Sequence, residues 1–138
     1  MIFTDFERDY LASQPLGRLA TVSGDGFPQN NPVGFTCNEA TGTIDIGGRA
    51  MGGTRKFANV NATGVAALVV DDLVSRDPWT VRGIEIRGTA EAISGIDPIS
   101  PSAGGEIIRI HPIRVISWGL DPGHPGMTGR TLPASEAA

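Results

Sequence analysis

One cysteine, two histidines and eleven basic residues among 138 are few, and each scarcity removes a class of chemistry. Cys37 has no partner within the chain, which excludes an internal disulfide framework and a cysteine cage for structural zinc. His111 stands beside Pro112 between two extended runs and His124 lies in a Gly/Pro-rich stretch, so both read as surface or turn residues and give no basis for histidine catalysis. No apolar run approaches the roughly 20 residues that a membrane span needs. The segment Met1–Asp9 is acidic and interrupted, unlike a signal peptide, so a cytoplasmic protein without a membrane span is expected. Eleven basic residues against fifteen acidic ones give a net charge of −4, and no basic stripe is interleaved with aromatics, so no nucleic-acid partner is expected. A nucleophile-elbow serine, a zincin helix, a P-loop and a paired-carboxylate constellation are all missing, and no catalytic side chain is assigned. Asp71-Asp72 reads as a solvated turn at a strand end, so no metal site is expected.

What is abundant is glycine, at 19 residues, and proline, at 10. That share suits one domain of short strands and many turns, an all-β chain with one or two small helices. Thr4 and Glu7 have capping-box spacing, which predicts a helix running to about Ser13 before Pro15. Gly17–Ser23, the turn Gly24-Asp25-Gly26 and Phe27–Cys37 form a hairpin signature. Pro28 and Pro32 cannot donate ladder hydrogen bonds, so that second strand must be irregular or at an edge. Thr43–Gly47 predicts a third strand, residues 54–61 a helix capped by Thr54, and the continuous apolar run Val65–Val70 a central strand. Arg82–Ile93 alternates throughout, and Glu106–Ile110 and Arg114–Trp118 read as two further short strands parted by His111-Pro112. A closed or split antiparallel barrel over residues 1–120 accommodates six or seven such strands, with 121–138 expected to be a loose Gly/Pro-rich tail.

Between Ile46 and Val70 this acidic chain has no acidic residue, yet Arg49, Arg55 and Lys56, its only lysine, all fall there. Gly47-Gly48-Arg49-Ala50-Met51-Gly52-Gly53 runs into the helix capped by Thr54, so amide donors, a helix dipole and cations converge on one place. All three favour a phosphate.

Thr54-Arg55-Lys56, followed by Asn59 and an apolar strand, resembles the Ser-Arg-Lys phosphate-binding segment of the pyridoxamine 5'-phosphate oxidase-like split β-barrels. Trp79 to Gly88 is similar to their Trp, Arg and strand pattern. Gly17–Val22, Pro28–Val33 and Asp45–Gly48 resemble the first three strands of the deazaflavin-dependent branch. The resemblance implies an FMN-binding type of split barrel, a homodimer that holds its cofactor at the subunit interface. It also implies ring contacts with backbone near Asn31, Pro32, Val33, Gly47 and Gly48, and a phosphate held by Thr54, Arg55, Lys56 and Asn59, with Arg49 a candidate to meet the polyglutamate tail of a deazaflavin cofactor outside the groove. Gly83 stands where the oxidase itself has a ring-contacting glutamine, and Arg109–Arg114 matches its substrate-binding residues only superficially. The arginine-rich, lysine-poor composition suits an actinobacterial genome. The implied activity is hydride transfer between coenzyme F420 and an unsaturated small molecule such as an enone, quinone or tetrapyrrole. FMN in a flavin reductase, or a non-catalytic carrier of flavin, deazaflavin or haem, are the alternatives. Trp79 and Trp118 are candidates for interface or groove aromatics, with core packing the other reading.

Overall fold

The computed structural model describes residues 2–97 and 104–133. In chain order they form α1 (Asp5–Ser13), β1 (Gly17–Val22), β2 (Pro28–Val33), β3 (Thr36–Asn38), β4 (Thr43–Ile46), a 3-10 turn (Met51–Gly53), α2 (Arg55–Thr63), β5 (Val65–Arg76), β6 (Trp79–Ile93), β7 (Ile107–Trp118) and β8 (Met127–Thr131). All strand pairings are antiparallel, in the order β2-β1-β5-β6-β7-β4-β3, with β8 also on β7. The inward residues of each strand, among them Leu19, Ile44, Ile46, Leu68, Val70, Ile84, Ile86, Ile108 and Ile110, are almost wholly buried and form one core. Each such side chain contributes roughly 1.5–3 kcal/mol by leaving water. No helix among the described residues is long and apolar enough to cross a membrane.

Local rules fix both helices. The Thr4 hydroxyl accepts from the Glu7 amide and the Glu7 carboxylate accepts from the Thr4 amide, the reciprocal pairing that the spacing predicts. Thr54 caps α2 by accepting from the Phe57 amide, and Gly64, at a φ of 70°, ends it. The proline-bearing strand β2 takes an edge position, where its register with β1 runs unbroken through Pro28 and Pro32 and no second neighbour needs their missing donors.

The run Phe27–Cys37 is not one strand but divides into β2 and β3, at opposite ends of the strand order, which with β8 brings the strands among the described residues to eight. Three further expectations are corrected. β5 does not stop at Val70 but continues to Arg76, and β6 begins at Trp79, so the pair forms a long hairpin arm. Asp71 and Asp72 therefore lie inside a strand, where Arg18 meets Asp71 at 2.7 Å and Arg82 and the Tyr10 hydroxyl meet Asp72. β7 runs unbroken through His111-Pro112, because the register slips by one residue there: Gly88 faces Pro112 and Arg87 faces Arg114. A β-bulge absorbs the residue that cannot pair. Gly88 is required at that point, since a Cβ on it would stand 2.0 Å from the His111 carbonyl oxygen.

The third correction concerns the chain after Leu120. Met127–Thr131 joins the second half of β7 as β8, while the first half of the same edge holds β4. Arg130 donates to both oxygens of the buried Glu7 carboxylate, at 2.7 and 2.6 Å, and to the Ile2 carbonyl. One ion pair thus ties the late strand to the first helix. Composition alone hid this, since the strand has little apolar content and is held by ladder bonds and a charge pair.

Candidate cofactor cleft

The chain reverses from β4 into a glycine-rich loop because Gly47 and Gly48 end the alternation that buries Ile44 and Ile46. Ala50, in the left-handed region at a φ of 52°, then turns it into the 3-10 turn and α2. This brings the loop opposite the end of β2. Between them lies a cleft of about 240 Å³ lined by Pro32, Val33, Gly34, Gly47, Gly48, Arg49, Met51, Thr54 and Lys56. Seven residues singled out in the sequence meet here, joined by Gly34 and the buried Met51. Met51 was missed because nothing in a lone methionine distinguishes a cleft floor from ordinary core.

Arg49 and Lys56 have no hydrogen-bond or ion-pair partner among the described residues. The first-turn amides of α2 point to the same end of the helix, and a helix start leaves such donors without internal acceptors. Two cations and free amides beside a glycine loop can hold a doubly charged oxyanion.

Three expected residues do not line the cleft. Arg55 is exposed on the first turn of α2. Asn31 accepts from the Gln29 side chain at 2.8 Å on the edge strand. Asn59 is buried, and its amide nitrogen donates to Thr21 and Gln29, each at 3.1 Å. It fastens α2 to the β1–β2 hairpin, a packing role where a binding role was expected. Gly83 is explained by packing as well: a Cβ there would lie 2.7 Å from the Trp118 ring and from the Val70 carbonyl oxygen. Trp118 packs against the barrel at that glycine, whereas Trp79 is 72% exposed on the hairpin arm.

Two acidic groups steady the cleft from outside the acid-free window. Glu106 accepts from the Gly52 amide at 3.2 Å, a contact 54 residues apart that no local pattern reveals. Asp45, one residue before the end of β4, is buried and held by Arg109 through two 3.0 Å bonds, by Asn38 and by Thr43. Burial alone would raise its pKa, but these donors outweigh that and hold the carboxyl below its ordinary value. The strand that delivers Gly47 and Gly48 is pinned just upstream of them.

The sequence profile of pyridoxamine 5'-phosphate oxidase matches residues 3–101. The chain belongs to that family. Within reach of this pyridoxamine 5'-phosphate oxidase-like chain is the 5a,11a-dehydrotetracycline/5a,11a-dehydrooxytetracycline reductase of Streptomyces rimosus, 48% identical over 122 residues, which are 88% of this chain and 86% of the reductase. Among solved structures, Rv2991 from Mycobacterium tuberculosis superposes with a TM-score of 0.65 at 20% identity, covering 84% of both chains. The FAD binding protein from Mycobacterium smegmatis does so with a TM-score of 0.60 at 16% identity, covering 94% of this chain and 98% of its own. These likenesses establish the split-barrel fold, and the family together with the reductase relative supports an oxidoreductase.

Proposed function

We propose that the protein is an F420-dependent reductase that acts on an unsaturated organic substrate, as a homodimer with its cofactor in the cleft between β2 and the glycine loop. The observation that carries this reading is the cleft itself, where the unpaired Arg49 and Lys56 flank backbone of Gly47, Gly48, Pro32 and Val33. These residues fit a phosphorylated ring cofactor: the cations meet its phosphate, and Gly48, with only the Met51 methyl 3.7 Å from where its Cβ would be, lets a flat group approach the backbone. When bound, the deazaflavin supplies the hydride chemistry, which agrees with a chain that has no evident acid–base pair in the cleft. Lys56 and Arg49 bind and orient, and the Asp45–Arg109 pair fixes the strand that presents the glycines. The reductase relative is named for reducing a dehydrotetracycline, which supports an unsaturated substrate here.

FMN in the same cleft is the second reading, supported by the FAD-binding neighbour. Calorimetric titration with F420 and with FMN separates the two: F420 is expected to bind more tightly, and equal or tighter binding of FMN overturns the cofactor assignment. Oxidation of reduced F420 by an enone panel distinguishes an enzyme from a carrier, since a carrier binds without turnover. The exposed Leu73, Val74 and Trp79 of the hairpin arm support a second copy as partner. Light scattering at micromolar concentration tests it, and a mass near 14.4 kDa overturns it.

A further inference from the structure

The segment Gly104-Gly105-Glu106 does not line the cleft, yet it holds the glycine loop at two points. The Gly104 amide donates to the Gly48 carbonyl at 3.3 Å, and the Glu106 carboxylate accepts from the Gly52 amide at 3.2 Å. The segment is itself fixed: the Gly105 carbonyl accepts from the Ile96 amide at 3.1 Å, and the next residues, Ile107 and Ile108, are fully buried where β7 pairs with β6 and β4. Between the two anchors run Arg49, the left-handed Ala50 and the buried Met51. The first anchor also orients a peptide. The bond from Gly48 to Arg49 is trans, so a carbonyl turned to Gly104 sends the Arg49 amide the opposite way. That amide has no partner among the described residues.

Glu106 enters no ion pair among the described residues, although Arg49 and Lys56, three and four residues from Gly52, are unpaired. A carboxylate that meets a neutral amide in place of these cations leaves their charge available, and one partly exposed hydrogen bond adds little to global stability. We propose that Glu106 is a positioning residue: by holding the Gly52 amide it fixes the bend in which Arg49 and its backbone amide bind an anionic ligand, without touching that ligand itself. Gly52 is matched to this task, because a Cβ there would stand 3.0 Å from the Glu106 Oε1 atom and push the carboxylate away. A loop free to leave the bend binds more weakly in proportion to the time it spends elsewhere. The proposal rests on the reading of the cleft as a cofactor site, while the hold on the loop stands on the contacts alone.

The test is calorimetric titration of the full chain with F420 and with FMN, in the parent and in Glu106→Ala, Glu106→Asp and Glu106→Gln, together with amide hydrogen exchange of the ligand-free proteins followed by NMR. Glu106→Ala and Glu106→Asp, which lose the carboxylate or its reach, are expected to bind the tighter cofactor about tenfold more weakly and to exchange the Gly52 amide at least about tenfold faster. Glu106→Gln, whose side-chain oxygen still accepts from that amide, is expected to stay within about threefold of the parent in both. A role in stability alone would lower the melting temperature of Glu106→Ala and leave its affinity unchanged, and that result overturns the proposal. Tighter binding by Glu106→Ala and Glu106→Gln alike also overturns it, since the carboxylate would then only repel the anion. So does Glu106→Gln binding as weakly as Glu106→Ala. If Glu106→Ala melts early, Glu106→Asp decides, because it keeps the charge and shortens the reach. Should neither cofactor bind the parent, the cofactor reading falls, and exchange of the Gly52 amide across the three variants still judges the hold on the loop.

Discussion

The charges of the barrel and those of the glycine loop are organised in opposite ways. Arg8, Arg18, Arg82, Arg87, Arg109 and Arg130 each face a carboxylate, several from strands distant in sequence. Arg49, Arg55 and Lys56, within eight residues of one another, face none among the described residues. In the first group the partners are built in and the charges hold the fold together. In the second no partner is built in, which is what the proposed anion site requires, although Arg76 on the hairpin arm is likewise unpaired among the described residues. Charge count therefore says less about function than charge satisfaction does.

If this division is right, substitutions in the two groups separate cleanly. The largest stability effect is expected from Arg130→Ala, which leaves the buried Glu7 carboxylate without its bidentate partner: about 3 kcal/mol lost in chemical denaturation, with cofactor affinity unchanged. A comparable shift in affinity would break the comparison. Lys56→Ala should do the reverse, weakening calorimetric binding of the cofactor about ten- to a hundredfold, the equivalent of one charge-assisted hydrogen bond. Unchanged binding of both F420 and FMN by that variant would show that the anion site is elsewhere.

A pH titration sharpens the contrast further. The Asp45 carboxyl has its pKa below the ordinary 3.8 in the folded protein, against the burial that alone would raise it, because Arg109, Asn38 and Thr43 donate to it. The unfolded chain therefore takes up the proton first. Asp45 contributes stability in full above about pH 4 and loses it as pH falls through the folded value. Asp45→Asn is expected to flatten that acid limb of the melting curve, and an unaltered limb would remove the pair from the set of stabilising charges. The smallest effect belongs to thermal stability in Arg49→Ala and Lys56→Ala, expected to stay within about 0.5 kcal/mol of the parent.

The parts of this picture that were legible in the sequence are those with short-range causes. Thr4 with Glu7 and Thr54 with the Phe57 amide are contacts three residues apart, and Pro28 with Pro32 dictate an edge strand by chemistry alone. The run Gly47 to Lys56 could be read as one wall of a cleft because its loop, cap and cations are contiguous. Long-range causes escaped. Pro112 reads as a break until Gly88, on the neighbouring strand, supplies the space for a bulge. β8 has no hydrophobic pattern and depends on Glu7, 123 residues away. Asn59 carries the same residue type whether it binds a ligand or Thr21, and only the folded partner decides. Glu106 reached the loop from outside a window that owed its interest to having no acid in it.

Gly88 leads to a consequence for how this chain tolerates diversity. Its missing Cβ makes room for backbone, not for a movable side chain, so every other amino acid meets the same obstruction irrespective of size or polarity. Gly24, Gly53 and Gly126, with nothing within 4 Å of the added atom, stand at the other extreme. In a saturation library selected for folded protein, position 88 should return one residue and those three nearly all twenty, so that glycines of equal appearance in the sequence divide into fixed and freely variable sites.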